Sequence, residues 1–230
     1  MAHGHEHGHG AEHASGQGSD TIDQLIAHYV AGTLPAPMRA LVGSHIEIKE
    51  KGRRLADGFE ALAGRELEAM APEALSDRDA RLKAIFESPT PAIRLKPRAE
   101  AANCGIFPKS LVGFTGYTAK DVPWRTKLPG LREVRFPETD GFQATLYWIR
   151  AGRAMPHHTH GGSEVTLVLD GGFSDGIGHY LRGDVAAADE TVDHRPVADD
   201  DAPCICFAVT TADLKMTGSL RQLFSDIFGR

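Results

Sequence analysis

The chain has 230 residues, with 25 Lys and Arg against 31 Asp and Glu and a formal charge of -6. That balance argues against direct nucleic-acid binding, which rests on a basic face. The longest uninterrupted apolar run, residues 204–209, falls far short of the ~20 residues a membrane-spanning helix needs, so the composition reads as a soluble protein of one large or two small domains.

Residues 1–19 show no basic-then-apolar leader and hold five of the 12 histidines (His3, His5, His7, His9, His13) among Gly, Ser and Ala. Such a composition cannot build a core, so the segment is expected to be a disordered tail, either a weak metal-scavenging arm or a tag. Three cysteines, Cys104, Cys204 and Cys206, are too few for a disulfide framework and fit a reducing cytoplasm.

Residues 20–88 have helical periodicity. Asp20 can cap a helix carrying Ile22, Leu25, Ile26 and Tyr29, with Gly32 as its stop. A second helix starts near Pro35 and carries Met38, Leu41, Val42 and His45. A third carries Leu55, Phe59, Leu62 and Leu67 despite Gly58 and Gly64, and a fourth, opened by Ser76, carries Leu82, Ile85 and Phe86. Four short helices with tight links predict a small bundle close to the size at which a lone core is marginal, so packing on a partner would stabilise it. The basic residues Lys49, Lys51, Arg53 and Arg54 read as a solvated helix face. Pro89, Pro91 and Pro97 mark residues 89–104 as a linker.

From residue 105 to 230 the pattern changes to short β-type runs, among them 144–150, 164–169 and 204–210, separated by Gly-rich turns. The predicted fold class is therefore α+β, a helical bundle followed by a β-barrel or sandwich. Cys204 and Cys206 are two apart and share one face of their strand; they read as small buried residues, with a redox-active pair as the alternative. Trp124 and Trp148 read as core or barrel-wall aromatics, His179 as a satisfied surface group, and Asp199, Asp200 and Asp201 as a turn.

The chemistry is concentrated in residues 152–194. His158 and His160 are two apart, so an extended strand turns both imidazoles to one side and His157 and Thr159 to the other. Glu164 follows at an even offset beyond the Gly161-Gly162 turn, and His194 can close the shell from a second hairpin. His158, His160, Glu164 and His194 are thus the expected ligands of one divalent metal, most suitably zinc, with iron or manganese able to occupy similar sites. Four protein donors without water would make the site structural or sensory, whereas an open position would suit catalysis.

The spacing from Gly152 through His158, His160 and Glu164 to Gly171 resembles the first cupin motif, and Gly183 to His194 resembles part of the second. More specifically, His158-Thr159-His160-Gly161-Gly162-Ser163-Glu164, Gly172-Phe173-Ser174-Asp175, His194-Arg195-Pro196 and Cys204-Ile205-Cys206 resemble the ChrR-type anti-sigma factors. So do Tyr29-Val30-Ala31-Gly32-Thr33-Leu34 and the surroundings of His45 in the helical half. The resemblance implies a cupin barrel (a double-stranded β-helix) behind a helical domain that binds a sigma factor of the extracytoplasmic-function type. It also implies that the cupin metal site is needed for release under oxidants. Such barrels often self-associate, which makes a homo-oligomer a further expectation. The family's helical domain usually carries a second zinc held by a His and a Cys-x-x-Cys. Here His45 is kept but Lys49 and Gly52 replace the cysteines, so no zinc is expected there. The alternative function is a cupin enzyme, a metal-dependent dioxygenase or isomerase with an accessory helical domain.

Overall fold

The structure is a computed structural model, and it describes residues 10–89 and 105–217. Most of the expected linker, residues 90–104, and Cys104 with it, lies outside the described residues, as does the first part of the expected tail.

Helix α1 spans Gly10–Val30. It therefore begins inside the segment expected to be disordered, and residues 10–19 are corrected to helix. Ala11, Glu12 and Ala14 are good helix formers, and extending a helix already formed over 20–30 needs no new nucleus. Gly32, at φ 70, ends it as the sequence suggests. Helix α2 spans Ala36–Ile48, entered through Pro35 in an extended conformation, and buries Met38, Leu41, Val42, Ser44 and His45. Lys49 is extended (φ -102, ψ 120) and separates α2 from α3, Glu50–Ala69. Helix α4, Arg78–Glu87, buries none of its residues.

The helices form the expected small bundle, but α4 is not its fourth member. Leu55 and Phe59 of α3 pack on the core, but Leu62 and Leu67 are exposed, as are Ile85 and Phe86 of α4. The face that a fourth helix would fill on α2 is taken instead by a short helix the sequence reading missed, α5, Lys109–Thr115. Glu47 of α2 fixes it there by accepting the Lys109 N–H at 2.7 Å, the Ser110 N–H at 2.8 Å and the Ser110 hydroxyl at 2.6 Å. The helices also pack directly on the β-sheet, so the partner that supports their marginal core is the same chain's barrel.

The strands, all antiparallel where paired, are β1 Arg125–Leu128, β2 Leu131–Arg135, β3 Gln143–Ile149, β4 His158–His160, β5 Glu164–Asp170, β6 Gly172–Ser174, β7 His179–Leu181, β8 Val185–Ala188, β9 Val197–Ala198, β10 Cys204–Thr210 and β11 Leu214–Met216. The main sheet runs β1-β2-β3-β10-β5-β8; β7-β6-β9 and β11-β4 complete the barrel wall, tied by bridges Ala154↔Val197 and His158↔His194.

Period-two alternation sorts the central strands into two cores. Val165, Leu167, Leu169, Phe207 and Val209 join Ile26, Leu41 and Val42 of the helices in one apolar cluster. Val168, Cys204 and Cys206 point the other way and meet Ile149, Phe173 and Ala198 inside the barrel. The two thiols sit 3.3 Å apart, both buried, as their shared face requires. Trp124 packs on the first cluster, and Trp148 lies under the Arg132 guanidinium at 4.6 Å. His179 is exposed and bonded to Asp199.

Candidate metal centre

Strand β4 is three residues long, yet its burial alternates as expected: His158 and His160 are 1% exposed, while Thr159 is half-buried. His157 turns outward to Asp193 at 3.1 Å. The third histidine, His194, arrives from the segment between β8 and β9 through a backbone bridge to His158 and is itself buried. The Nε2 atoms of His160 and His194 lie 3.2 Å apart, as do those of His194 and His158. These three form the one group of potential metal ligands found among the described residues, its ligand atoms all within 4.8 Å of one another.

Two of the three rings are oriented by their other nitrogen, whereas Nδ1 of His160 is buried without a hydrogen-bond partner. The Nδ1 of His158 donates to the Pro156 carbonyl at 2.8 Å. The Nδ1 of His194 faces the Asp175 carboxylate at 3.1 Å. Burial alone would raise the Asp175 carboxyl, but hydrogen bonds from His194 and from the Gly178 and Ile177 N–H groups hold it below the usual carboxylate range. Because a carbonyl and a carboxylate only accept, both Nδ1 atoms carry a proton, and the Nε2 atoms of His158 and His194 are turned toward each other. With Nε2 of His160 they bring three imidazole nitrogens together in one buried spot. Burial, reinforced by the neighbouring histidines, lowers His158 and His160 to about 4, so both keep a free ring nitrogen near neutral pH. The donor set therefore fits a divalent metal, and the pattern of His backed by carboxylate or carbonyl is how ligating imidazoles are commonly held.

Glu164 occupies a different place. It lines the same cavity but is not part of the close group; its Oε1 accepts the Thr166 hydroxyl at 3.0 Å, and its Oε2 lies 3.7 Å from Nδ1 of His160. Burial raises its carboxyl, opposed by the Thr166 hydrogen bond. The cavity measures about 40 Å³ and is walled by Tyr147, Phe173, Ala186 and Cys206 among others. Asp175 is the functional residue the sequence reading did not single out; its signal was present only within the Gly172-Phe173-Ser174-Asp175 stretch.

His45 also departs from a solvated helix position. It is buried, lowered by that burial, and donates Nδ1–H to the Gly183 carbonyl at 2.9 Å. Lys49, expected on a solvated face, pairs with Asp184 at 2.9 Å.

A small antiparallel barrel with converging buried histidines that could hold a metal, fronted by helices that share its core, defines a cupin fused to a helical segment. Residues 115–212 match the family model described as ChrR Cupin-like domain. Across 90% of this chain and 95% of the relative, the sequence is 36% identical to the Anti-sigma-E factor ChrR of Cereibacter sphaeroides. The crystal structure of Rhodobacter sphaeroides SigE in complex with the anti-sigma ChrR aligns with a TM-score of 0.66 at 36% identity, covering 82% of this chain and 96% of that one. The chain belongs to the ChrR family of anti-sigma factors. Among the described residues no helix is long and apolar enough to cross a membrane.

Proposed function

We propose that this chain is a cytoplasmic anti-sigma factor that binds a sigma factor of the extracytoplasmic-function type and that its cupin holds one zinc ion as the sensing element. The observation that carries the sigma reading is the exposed apolar surface of α3, α4 and the link between them. Leu67 is 70% exposed, Met70 67%, Leu75 68%, Ile85 65% and Phe86 83%, all on α3, α4 and the link between them. An apolar surface of this kind marks an interaction site, and the family supplies the kind of partner.

His158, His160 and His194 would hold the metal, with Glu164 as fourth ligand, and the metal would supply a fixed charge that ties β4, β5 and the His194 segment together. Imidazole and carboxylate donors in a four-residue set suit zinc. The small cavity supports a sensor over a cupin dioxygenase or isomerase: about 40 Å³ admits an ion and one or two waters but no organic substrate. The larger neighbouring hollow near Lys127 and Arg135 is lined by none of the three histidines. The family resemblance points to oxidants as the releasing signal.

The test is elemental analysis of the chain lacking residues 1–19, purified with and without a co-expressed sigma factor. One zinc per chain and a stable sigma complex support the reading. Iron or manganese with no complex would overturn it in favour of the enzyme.

A further inference from the structure

The turn between β7 and β8 is gripped by the helical segment from several sides. His45 donates to the Gly183 carbonyl at 2.9 Å, Lys49 pairs with Asp184 at 2.9 Å, and Arg182 donates to the Ile106 carbonyl at 3.0 Å. Contact is close enough to exclude side chains. A Cβ on Gly183, which has φ +86, would lie 2.6 Å from Ile48 Cγ2 and 2.7 Å from Lys49 Cε. A Cβ on Gly52, in the first turn of α3, would lie 2.6 Å from the His45 ring. The buried ring is thus pressed between α3 and the barrel turn.

Both ends of this contact lead somewhere. On the barrel side, β8 leaves the turn directly, and its Ala186, Ala187 and Ala188 wall the metal cavity. In the β5–β8 ladder Ala188 stands opposite Glu164 and Ala186 opposite Thr166, the pair that share a hydrogen bond on that wall. On the helical side, α3 starts at the latch and, at 1.5 Å per residue, carries the exposed Leu62 about 18 Å and Leu67 about 25 Å away from it.

We propose that the His45–Gly183 and Lys49–Asp184 contacts form a latch that couples occupancy of the cupin metal cavity to the position of α3. This rests on the metal reading above and specifies how that site communicates with the sigma-binding surface. A metal ordering β5 and β8 favours the latched turn, and the latched turn in turn favours metal. Coupling between two sites is reciprocal, so loosening the latch from the helical side must weaken metal binding inside the barrel.

The experiment measures the zinc dissociation constant of the full-length chain by competition with a chromophoric chelator, for the parent, Lys49→Met, His45→Gln and Asp184→Asn. Near-ultraviolet circular dichroism checks that the barrel remains folded. Asp184 also accepts the Leu181 N–H, so Lys49→Met, which leaves the turn intact, is the decisive variant. The expected result is a rise of about fivefold or more for Lys49→Met and for His45→Gln. The Lys49→Met/Asp184→Asn double variant should show less than the product of the single effects. Dissociation constants within twofold of the parent in a folded barrel would overturn the latch while leaving the metal site standing. A parent chain that binds no zinc would remove the metal reading and the latch with it.

Discussion

His158 and His194 are joined twice. Their backbones exchange N–H···O=C hydrogen bonds, both at 3.1 Å, and their Nε2 atoms stand 3.2 Å apart. A single bridge thus sets the spacing of two ligands that lie 36 residues apart in the chain.

Replacing either residue by Ala should abolish high-affinity metal binding, because each removes a lone pair from a three-histidine group. Equilibrium dialysis followed by elemental analysis should find the parent close to one metal per chain and His194→Ala nearly empty. Full retention in His194→Ala would remove it from the ligand set.

Asp175 is a positioning residue, acting through His194. Asp175→Asn keeps the volume but weakens the partner that fixes the His194 tautomer, and a loss of supporting partner typically costs roughly 10- to 100-fold in metal affinity. Chelator competition on folded protein gives the value directly, and an unchanged affinity would leave Asp175 a purely structural residue.

Glu164 tests how the shell is completed. If its carboxylate is the fourth ligand, Glu164→Ala should bind metal more weakly than the parent yet more tightly than His158→Ala. Equal affinity in parent and Glu164→Ala would leave the three histidines as the whole protein contribution.

The metal-free protein should lose stability on acidification between pH 6.5 and about 4. His158 and His160 are held near 4 in the folded chain, chiefly by burial, against 6.5 when exposed. In that window the unfolded chain binds more protons, so stability is full above 6.5 and falls as pH approaches 4, by roughly 3 kcal/mol for each ring at most. Urea unfolding of chelator-treated protein at several pH values measures the slope. A flat profile would mean that the rings bind protons equally well in the folded and the unfolded chain.

Phe86→Asp and Ile85→Asp should prevent capture of the sigma factor while changing stability by about 0.5 kcal/mol or less, since both side chains are largely exposed. Co-purification and thermal melts read the two effects separately. Normal capture by both variants would move the docking surface elsewhere.

Much of this arrangement was legible in the residues. Alternating hydrophobic runs placed β3, β5 and β10, and a two-residue offset on an extended strand sufficed to send His158 and His160 to one side. Local periodicity carries such information because side-chain direction follows from backbone geometry alone. Helix starts and stops at Pro35 and Gly32 were equally local. Less local features were not legible. The helical extension to Gly10 depended on propagation from a helix already formed, and α5 on Glu47, which lies 62 residues from Lys109.

The sequence by itself determined the central strands, the first helices and that His158 and His160 share a face, since these follow from spacing and backbone stereochemistry, and its motifs carried the resemblance to a cupin. Only the tertiary structure decided that Asp175 backs His194, that Glu164 stands on the cavity wall beside Thr166, and that His45 and Lys49 hold a barrel turn. It likewise decided that the helices share one core with the barrel sheet. Each of these depends on which distant surfaces meet, and that is set by the burial of apolar area across the whole chain, which no local pattern encodes.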